Sequence, residues 1–397
     1  MNLPPFLLDH WIAKYDFAEP PIAYNLASST GPRWSVEDLT RLGGARFDVA
    51  SSVMSYAPAE GSRSLREAVS EFHGVAPDWV VMTTGASEAL SIFLCLSERP
   101  GGNLVIPDPA YPAYAAMAQV WRLGVRNYTI SAAADFVQQA ETVLEAVNQD
   151  TVAVIVNTPH NPTGSVMATE ELARLSGSLA ERDVPLVVDE VYHPLYFGPK
   201  QPSAAGLENV IVTSDLSKAM SLPGLRTGWI IDRDVPRRKR IVDARSYFTI
   251  SGSPLLEMLA THALRHRDQI LDRLQTVATK NLDLLEALIA GSDGVLSWSR
   301  PRGGTTSFPW FTDGSNSRPF CEGLAEQGVL VAPGDCFGHA RHMRIGFAQQ
   351  EDRFQVAVQR IGEKLRDQKT FAKSGLRRGC GAPGQRLDSG HQRAPGE

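Results

Sequence analysis

Lys218 differs from the other basic residues of this chain in its surroundings. It lies in residues 213–229, among small and polar side chains, with Gly224, Arg226 and Gly228 behind it and Ser217 beside it. A lysine amine becomes a nucleophile or proton carrier once its pKa is lowered, and a nearby guanidinium suits an anion. Thr83-Thr84-Gly85-Ala86-Ser87-Glu88-Ala89-Leu90 reads as a strand end, a glycine turn and a helix start. Free backbone N–H groups and the helix dipole at such a start favour an anion. Asp189-Glu190-Val191-Tyr192 follows an apolar run at 184–188. It puts a carboxylate where open α/β sheets bind ligands, with Glu190 expected to face solvent. Asn157-Thr158-Pro159-His160-Asn161-Pro162-Thr163-Gly164 follows another run. Turn formers explain its Pro and Gly residues but not both asparagines. Tyr56, Tyr111 and Arg344 complete the candidates. Each taken alone has an ordinary reading: a solvated lysine, a salt-bridged aspartate, a half-buried tyrosine, an exposed strand arginine.

The elements that must position them are apolar runs near 79–82, 104–106, 151–156, 184–188, 210–212 and 229–231. The 151–156 run is almost entirely β-branched, as expected of a parallel strand covered on both faces. Helical segments alternate with these runs, which implies an α/β fold with a mostly parallel sheet and right-handed crossovers. Most of the candidates fall at the end of one of these strands. The sheet lacks Gly-x-Gly-x-x-Gly after its first strand, and the glycine turn lacks Gly-Lys-Ser/Thr. Neither a nicotinamide site nor a P-loop is expected. An amphipathic opening around 11–17 is expected to be a short helix packed on the body, with Ser28 and Ser29 after it. Residues 234–291 look helical, with Arg237-Arg238-Lys239-Arg240 as a solvated face.

The chain has 397 residues, 43% of them hydrophobic, enough for a large core. With 39 basic against 44 acidic residues there is no basic stripe, and nucleic-acid binding is not expected. Cys95, Cys321, Cys336 and Cys380 form no CxxC pair, so neither a zinc site nor a disulfide framework is expected. No signal peptide or membrane span is visible, and a reducing cytoplasm is the default.

Together these motifs closely resemble the class I/II aminotransferases, fold-type I enzymes that use pyridoxal 5′-phosphate. The resemblance covers about residues 6–366. It implies a large domain with a mostly parallel sheet and a smaller α+β domain. The boundaries expected are 1–45 for the N-terminal segment of the small domain, 46–265 for the large cofactor-binding domain, 266–366 for the C-terminal small domain and 367–397 for a disordered tail. It implies that Lys218 forms a Schiff base with the cofactor aldehyde, while Gly85, Ala86, Ser87 and Arg226 hold its phosphate. Tyr111 would stack on the ring, Asp189 pair with its nitrogen, and Tyr192 and Asn161 hold its phenolic oxygen. Asn161 and Arg344 would take the substrate carboxylate. Tyr56 would reach the phosphate of a neighbouring subunit, making a homodimer with a shared site. The substrates implied are an L-amino acid and a 2-oxo acid. Side-chain selection would rest on Ser28, Ser29, 247–253 and 305–307.

One position departs from the family pattern. Ser or Thr usually stands three residues before the lysine and helps hold the phosphate; here it is Asp215. The carboxylate is expected to turn to a backbone N–H instead, with Ser217 supplying the hydroxyl. A narrower resemblance, through Pro301-Arg302-Gly303-Gly304, Tyr247-Phe248-Thr249-Ile250-Ser251 and Met343-Arg344-Ile345-Gly346-Phe347, is to PLP-dependent cyclases of the capreomycidine synthase type. These dehydrate and cyclise a hydroxyarginine, so a cyclase or lyase is the alternative to transamination. A regulator of aminotransferase fold would need an attached DNA-binding helix-turn-helix, for which residues 1–40 are too short and not basic.

Overall fold

The computed structural model describes residues 3–44, 47–50 and 52–378, with side chains to Asp367. The chain opens with α1 (Leu7–Asp16), β1 (Tyr24–Asn25), α2 (Val36–Thr40) and α3 (Arg63–His73). An alternating series follows: β2 (Val80–Thr83), α4 (Ala86–Ser97), β3 (Asn103–Asp108), α5 (Ala113–Val120), β4 (Gly124–Thr129) and α6 (Ala140–Ala146). It continues with β5 (Thr151–Asn157), α7 (Thr169–Ala180), β6 (Leu186–Asp189), β7 (Val210–Asp215) and β8 (Gly228–Asp232). Three helices come next: α8 (Val235–Phe248), α9 (Pro254–Arg265) and α10 (Arg267–Ala290). The last part holds β9 (Leu296–Ser297), β10 (Thr306–Ser307), β11 (Trp310–Phe311), α11 (Arg318–Glu326), β12 (Val329–Leu330), β13 (Ala332–Pro333), β14 (Met343–Gly346) and α12 (Phe354–Arg378).

Seven strands form the central sheet in the order β2-β8-β7-β6-β5-β3-β4. All its pairings are parallel except those of β8, which runs antiparallel to β2 and β7. The period-two alternation of side chains divides its residues between two cores. Val154, Val156, Val188 and Val212 face one layer of helices. Ala153, Ile155, Val187 and Ile211 face the other. This topology gathers the strand ends. Asn157 pairs in register with Asp189, Asp189 with Thr213, Asp215 with Gly228, and Gly228 with Thr83. One edge of the sheet therefore carries the asparagine, the aspartates and the glycine turn.

Both ends of the chain meet in the smaller sheets. β1 pairs with β12, and β14 lies between β10 and β13. The Trp11 indole N–H donates to Val331 O at 2.9 Å, fixing α1 on this layer. Gly346 N donates to Leu26 O at 2.6 Å. A Cβ at Gly346 would collide with Ser28 O, so only glycine lets the N-terminal segment run this close to β14.

Two expectations fail. Glu190 does not face solvent: it is 2% exposed, accepting from Ser203 Oγ at 2.7 Å and Ala204 N at 2.6 Å. The chain turns at the end of β6 and points it into the layer holding His73. The tail expected to lack structure from 367 instead continues α12 through Arg378. Residues 367–378 are rich in Lys, Gln, Ala, Leu and Arg, good helix formers, and the Gly- and Pro-rich composition begins only beyond them. Residues 379–397 and Cys380 lie outside the described residues. Among those described, no helix is long and apolar enough to cross a membrane.

Candidate active site

A cavity of about 320 Å³ opens at this sheet edge. Ala86, Ser87, Tyr111, Asn161, Asp189, Tyr192, Ser217, Lys218, Arg226 and Arg344 all line it. The structure thus brings together candidates spread over more than half of the chain.

Lys218 follows β7 in the loop before β8, and its Nζ donates to Ser29 Oγ at 3.0 Å. Burial lowers the Lys218 pKa, while the Asp215 charge opposes that shift. Asp189 closes β6 and is 4% exposed. The Tyr114 hydroxyl donates to its Oδ2 at 2.5 Å, and Val191 N–H to its Oδ1 at 3.2 Å. Burial pushes the Asp189 carboxyl up to about 6 against these two bonds. Asn157 ties the neighbouring strand ends together. Its amide donates to Asp189 O at 3.0 Å, and its Oδ1 accepts from Asn161 N at 2.7 Å. Tyr111 is half-buried, with its ring edge-on to Phe6 and Tyr114 at centroid distances of 6.0 and 5.7 Å. Burial pushes the Tyr192 hydroxyl up to about 12.

Arg344 comes from β14 in the smaller layer and is 2% exposed. Its guanidinium donates to Asn161 Oδ1 at 3.1 Å and Ala27 O at 2.6 Å, and lies 5.1 Å from the Phe337 ring centroid. No carboxylate among the described residues forms an ion pair with it, and its Nε has no acceptor. Taking a guanidinium out of water with no anionic partner costs several kcal/mol. A site that accepts this cost is built for an anion that arrives from outside.

The glycine turn caps α4 as expected. Gly85 has φ of 79°, and a Cβ there would lie 2.6 Å from Arg226 Nη2, so the guanidinium reaches across the turn. Asp215 turns to backbone N–H groups. Its Oδ1 accepts from Ser217 N at 2.8 Å and its Oδ2 from Ala86 N at 3.2 Å.

Tyr56 is not brought to the cavity. It is 81% exposed and lines a separate cavity with Phe47, Pro254 and His262. Residues 247–253 do not line the site either; Tyr247 is 91% exposed. Thr305 supports the site from behind, its hydroxyl donating to Ser29 O at 2.8 Å. Sequence reasoning left Tyr114 and Asn157 without roles, although Asn157 opens the 157–164 motif. Tyr114 lies in the first turn of α5, three residues after Tyr111, which precedes the helix. It also left out Asp9, Ile12 and Asp16 of α1, which line the cavity mouth. A second group, His73, Glu190 and His193, is buried nearby. The Trp229 indole N–H donates to His73 Nε2 at 3.0 Å, which leaves the His73 proton on Nδ1, facing Glu190. That nitrogen has no lone pair for a metal, and the group reads as packing support beneath β6.

The model of the family described as aminotransferase class I and II matches residues 38–361. Capreomycidine synthase of Streptomyces vinaceus is 34% identical over 333 residues, covering 82% of this chain and 83% of that protein. A PLP-dependent aminotransferase from Streptococcus suis superposes with a TM-score of 0.85 at 26% identity, over 92% of this chain and 99% of the other. The PLP-dependent cyclase OrfR superposes with a TM-score of 0.81, also at 26% identity, over 93% and 98%.

Proposed function

The chain belongs to the class I and II aminotransferase family, whose cofactor is pyridoxal 5′-phosphate, and we propose that it moves an amino group between an L-amino acid and a 2-oxo acid. The observation that carries this reading is the buried Arg344 guanidinium, without an anionic partner, beside Asn161 and across the cavity from Lys218. It suits the α-carboxylate of an amino acid, gripped by parallel N–H···O bonds.

The residues present fit the cofactor. The enclosed Tyr192 hydroxyl faces the cavity with the Ser29 hydroxyl beside it, placed to donate to a phenolic oxygen. At Gly85 a Cβ would collide with the Arg226 guanidinium, so the glycine lets this cation lie against the start of α4, where an anion would sit. When bound, the cofactor supplies an aldehyde that joins an amine and a ring that draws electrons from the carbon beside it. Ser87, Ser217 and Arg226 would hold its phosphate, and Asp189 would keep a proton on its ring nitrogen. Tyr192 and Asn161 would hold its phenolic oxygen, and Tyr111 would cover one ring face. Lys218, its amine pKa lowered by burial and its Nζ oriented by Ser29, would take the proton from the substrate Cα and give it back on the far side of the substrate nitrogen. Tyr56, exposed in the single chain, would complete the phosphate site of a second copy. An active species that sediments as a monomer would remove this homodimer reading.

The match to capreomycidine synthase, together with OrfR, favours a second reading, cyclisation or elimination in specialised metabolism. The unmodified aminotransferase form Asp189-Glu190-Val191-Tyr192 weighs toward the first. Single L-amino acids added to the cofactor-loaded enzyme without an oxo acid separate the two. Transamination yields one equivalent of 2-oxo acid per cofactor and then stops. Continued release of water or ammonia, above all from arginine derivatives, would establish the second. In either case Arg344→Lys should raise KM for the amino acid about a hundredfold or more, because an ammonium cannot reproduce the fork. An unchanged KM would take the carboxylate away from Arg344.

A further inference from the structure

Asp215 stands where a phosphate-binding hydroxyl would be expected, and its carboxylate already occupies the anion position. Its Oδ2 accepts the N–H of Ala86, the first residue of α4. Its Oδ1 holds Ser217 N, next to Lys218. The side chain is 8% exposed and faces the same cavity as Ser87, Ser217, Lys218 and Arg226. A second carboxylate, Glu88, also serves this turn, accepting Thr84 N at 2.5 Å. The cup thus holds two carboxylates, Asp215 and Glu88, beside the Arg226 guanidinium before any phosphate enters it.

We propose that Asp215 is a built-in competitor for the cofactor phosphate, seated on the Ala86 amide and displaced when the phosphate binds. This rests on the reading of residues 85–87 and Arg226 as the phosphate cup. An arriving phosphate finds one helix-start amide taken and meets a like charge within the cup, with little water to screen it. Ala86 N–H is the longer of the two bonds and is the one given up, while Ser217 N–H keeps the carboxylate in place. The cofactor is therefore held less tightly than its contacts would allow, and remains exchangeable.

The test measures equilibrium affinity of the full chain, freed of cofactor, for pyridoxal phosphate and for pyridoxal, which lacks the phosphate. Asp215→Asn and Asp215→Ser keep an acceptor for the backbone and remove the charge. Each should bind pyridoxal phosphate about tenfold tighter or more, with pyridoxal affinity unchanged, the worth of about 1.4 kcal/mol. Unchanged or weaker pyridoxal phosphate binding in both variants would overturn the proposal. A gain shared equally by pyridoxal would also overturn it, since the effect would not belong to the phosphate. Arg226→Ala separates the two levels of the argument. It should weaken pyridoxal phosphate and spare pyridoxal; failure to do so would overturn the cup and the Asp215 inference with it.

Discussion

Lys218→Ala is expected to bring turnover down by at least about 10³-fold, the scale of losing a positioned general acid–base that is also the covalent attachment point. Among the described residues no other lysine lines the cavity to take over. Ser29, which now accepts the Lys218 N–H, is a hydroxyl and too weak a base to replace it. The phosphate cup does not depend on Lys218, so the variant should still bind pyridoxal phosphate, without the absorbance band of the lysine-linked form. Steady-state assay and a spectrum of the purified variant give both readings. Substantial residual transamination would mean that proton transfer at Cα belongs to another residue.

Asp189→Asn should move activity and stability in opposite directions. The carboxyl is raised to about 6 in the folded chain, mainly by burial, against an ordinary value of 3.8. Between those values the folded chain holds a proton that the unfolded chain has lost. Stability therefore falls as pH rises through this window, and the full cost stands above it. A shift of about two units corresponds to about 3 kcal/mol. Asparagine carries no charge; its one carbonyl oxygen still accepts from Val191 N–H, and its NH2 donates to the Tyr114 hydroxyl, which rotates to accept. The cofactor-free variant should therefore be more stable than the parent by about 3 kcal/mol at pH 8, with the difference vanishing below pH 4. Denaturant titrations at the two pH values measure this directly. Turnover should fall by a factor on the order of 10² or more, because a neutral amide cannot keep a proton on the ring nitrogen. A stability difference independent of pH would show that Asp189 is not the buried titrating group. The trade is the common one in which a site's chemistry costs the fold stability.

The strands were legible because their β-branched runs are long and bounded by turns, and the strand-end motifs then located the cavity. Asp215 was also legible: a carboxylate unsuited to a phosphate had to seek N–H donors, and Ser217 and Ala86 supply them. Glu190 was not, because alternation along β6 says nothing of how the chain turns after Asp189 or of what α3 places opposite. Tyr114 was hidden by Tyr111, since the pattern names aromatic positions but not which hydroxyl reaches across to another strand. Residues 247–250 are exposed in the single chain, and Thr249 reaches the glycine turn through Glu88, not the cavity itself. Tyr56 lies away from this cavity in the single chain, and its proposed part in a phosphate site rests on a second copy.

The meeting of the two chain ends, with Gly346 admitting the segment that carries Ser29, sets when this protein becomes competent. A chain still being synthesised can complete the central sheet, its lysine and its phosphate cup well before residue 344 exists. Until β12 takes up β1 and β14 takes its place, such a chain lacks the guanidinium and the strap that closes the pocket. On the proposed role of Arg344, an amino acid is therefore recognised only after β14 is in place. Ligands that bind only the native state add RT ln(1 + [L]/Kd) to its stability, so the cofactor adds to the stability of the fold that holds it.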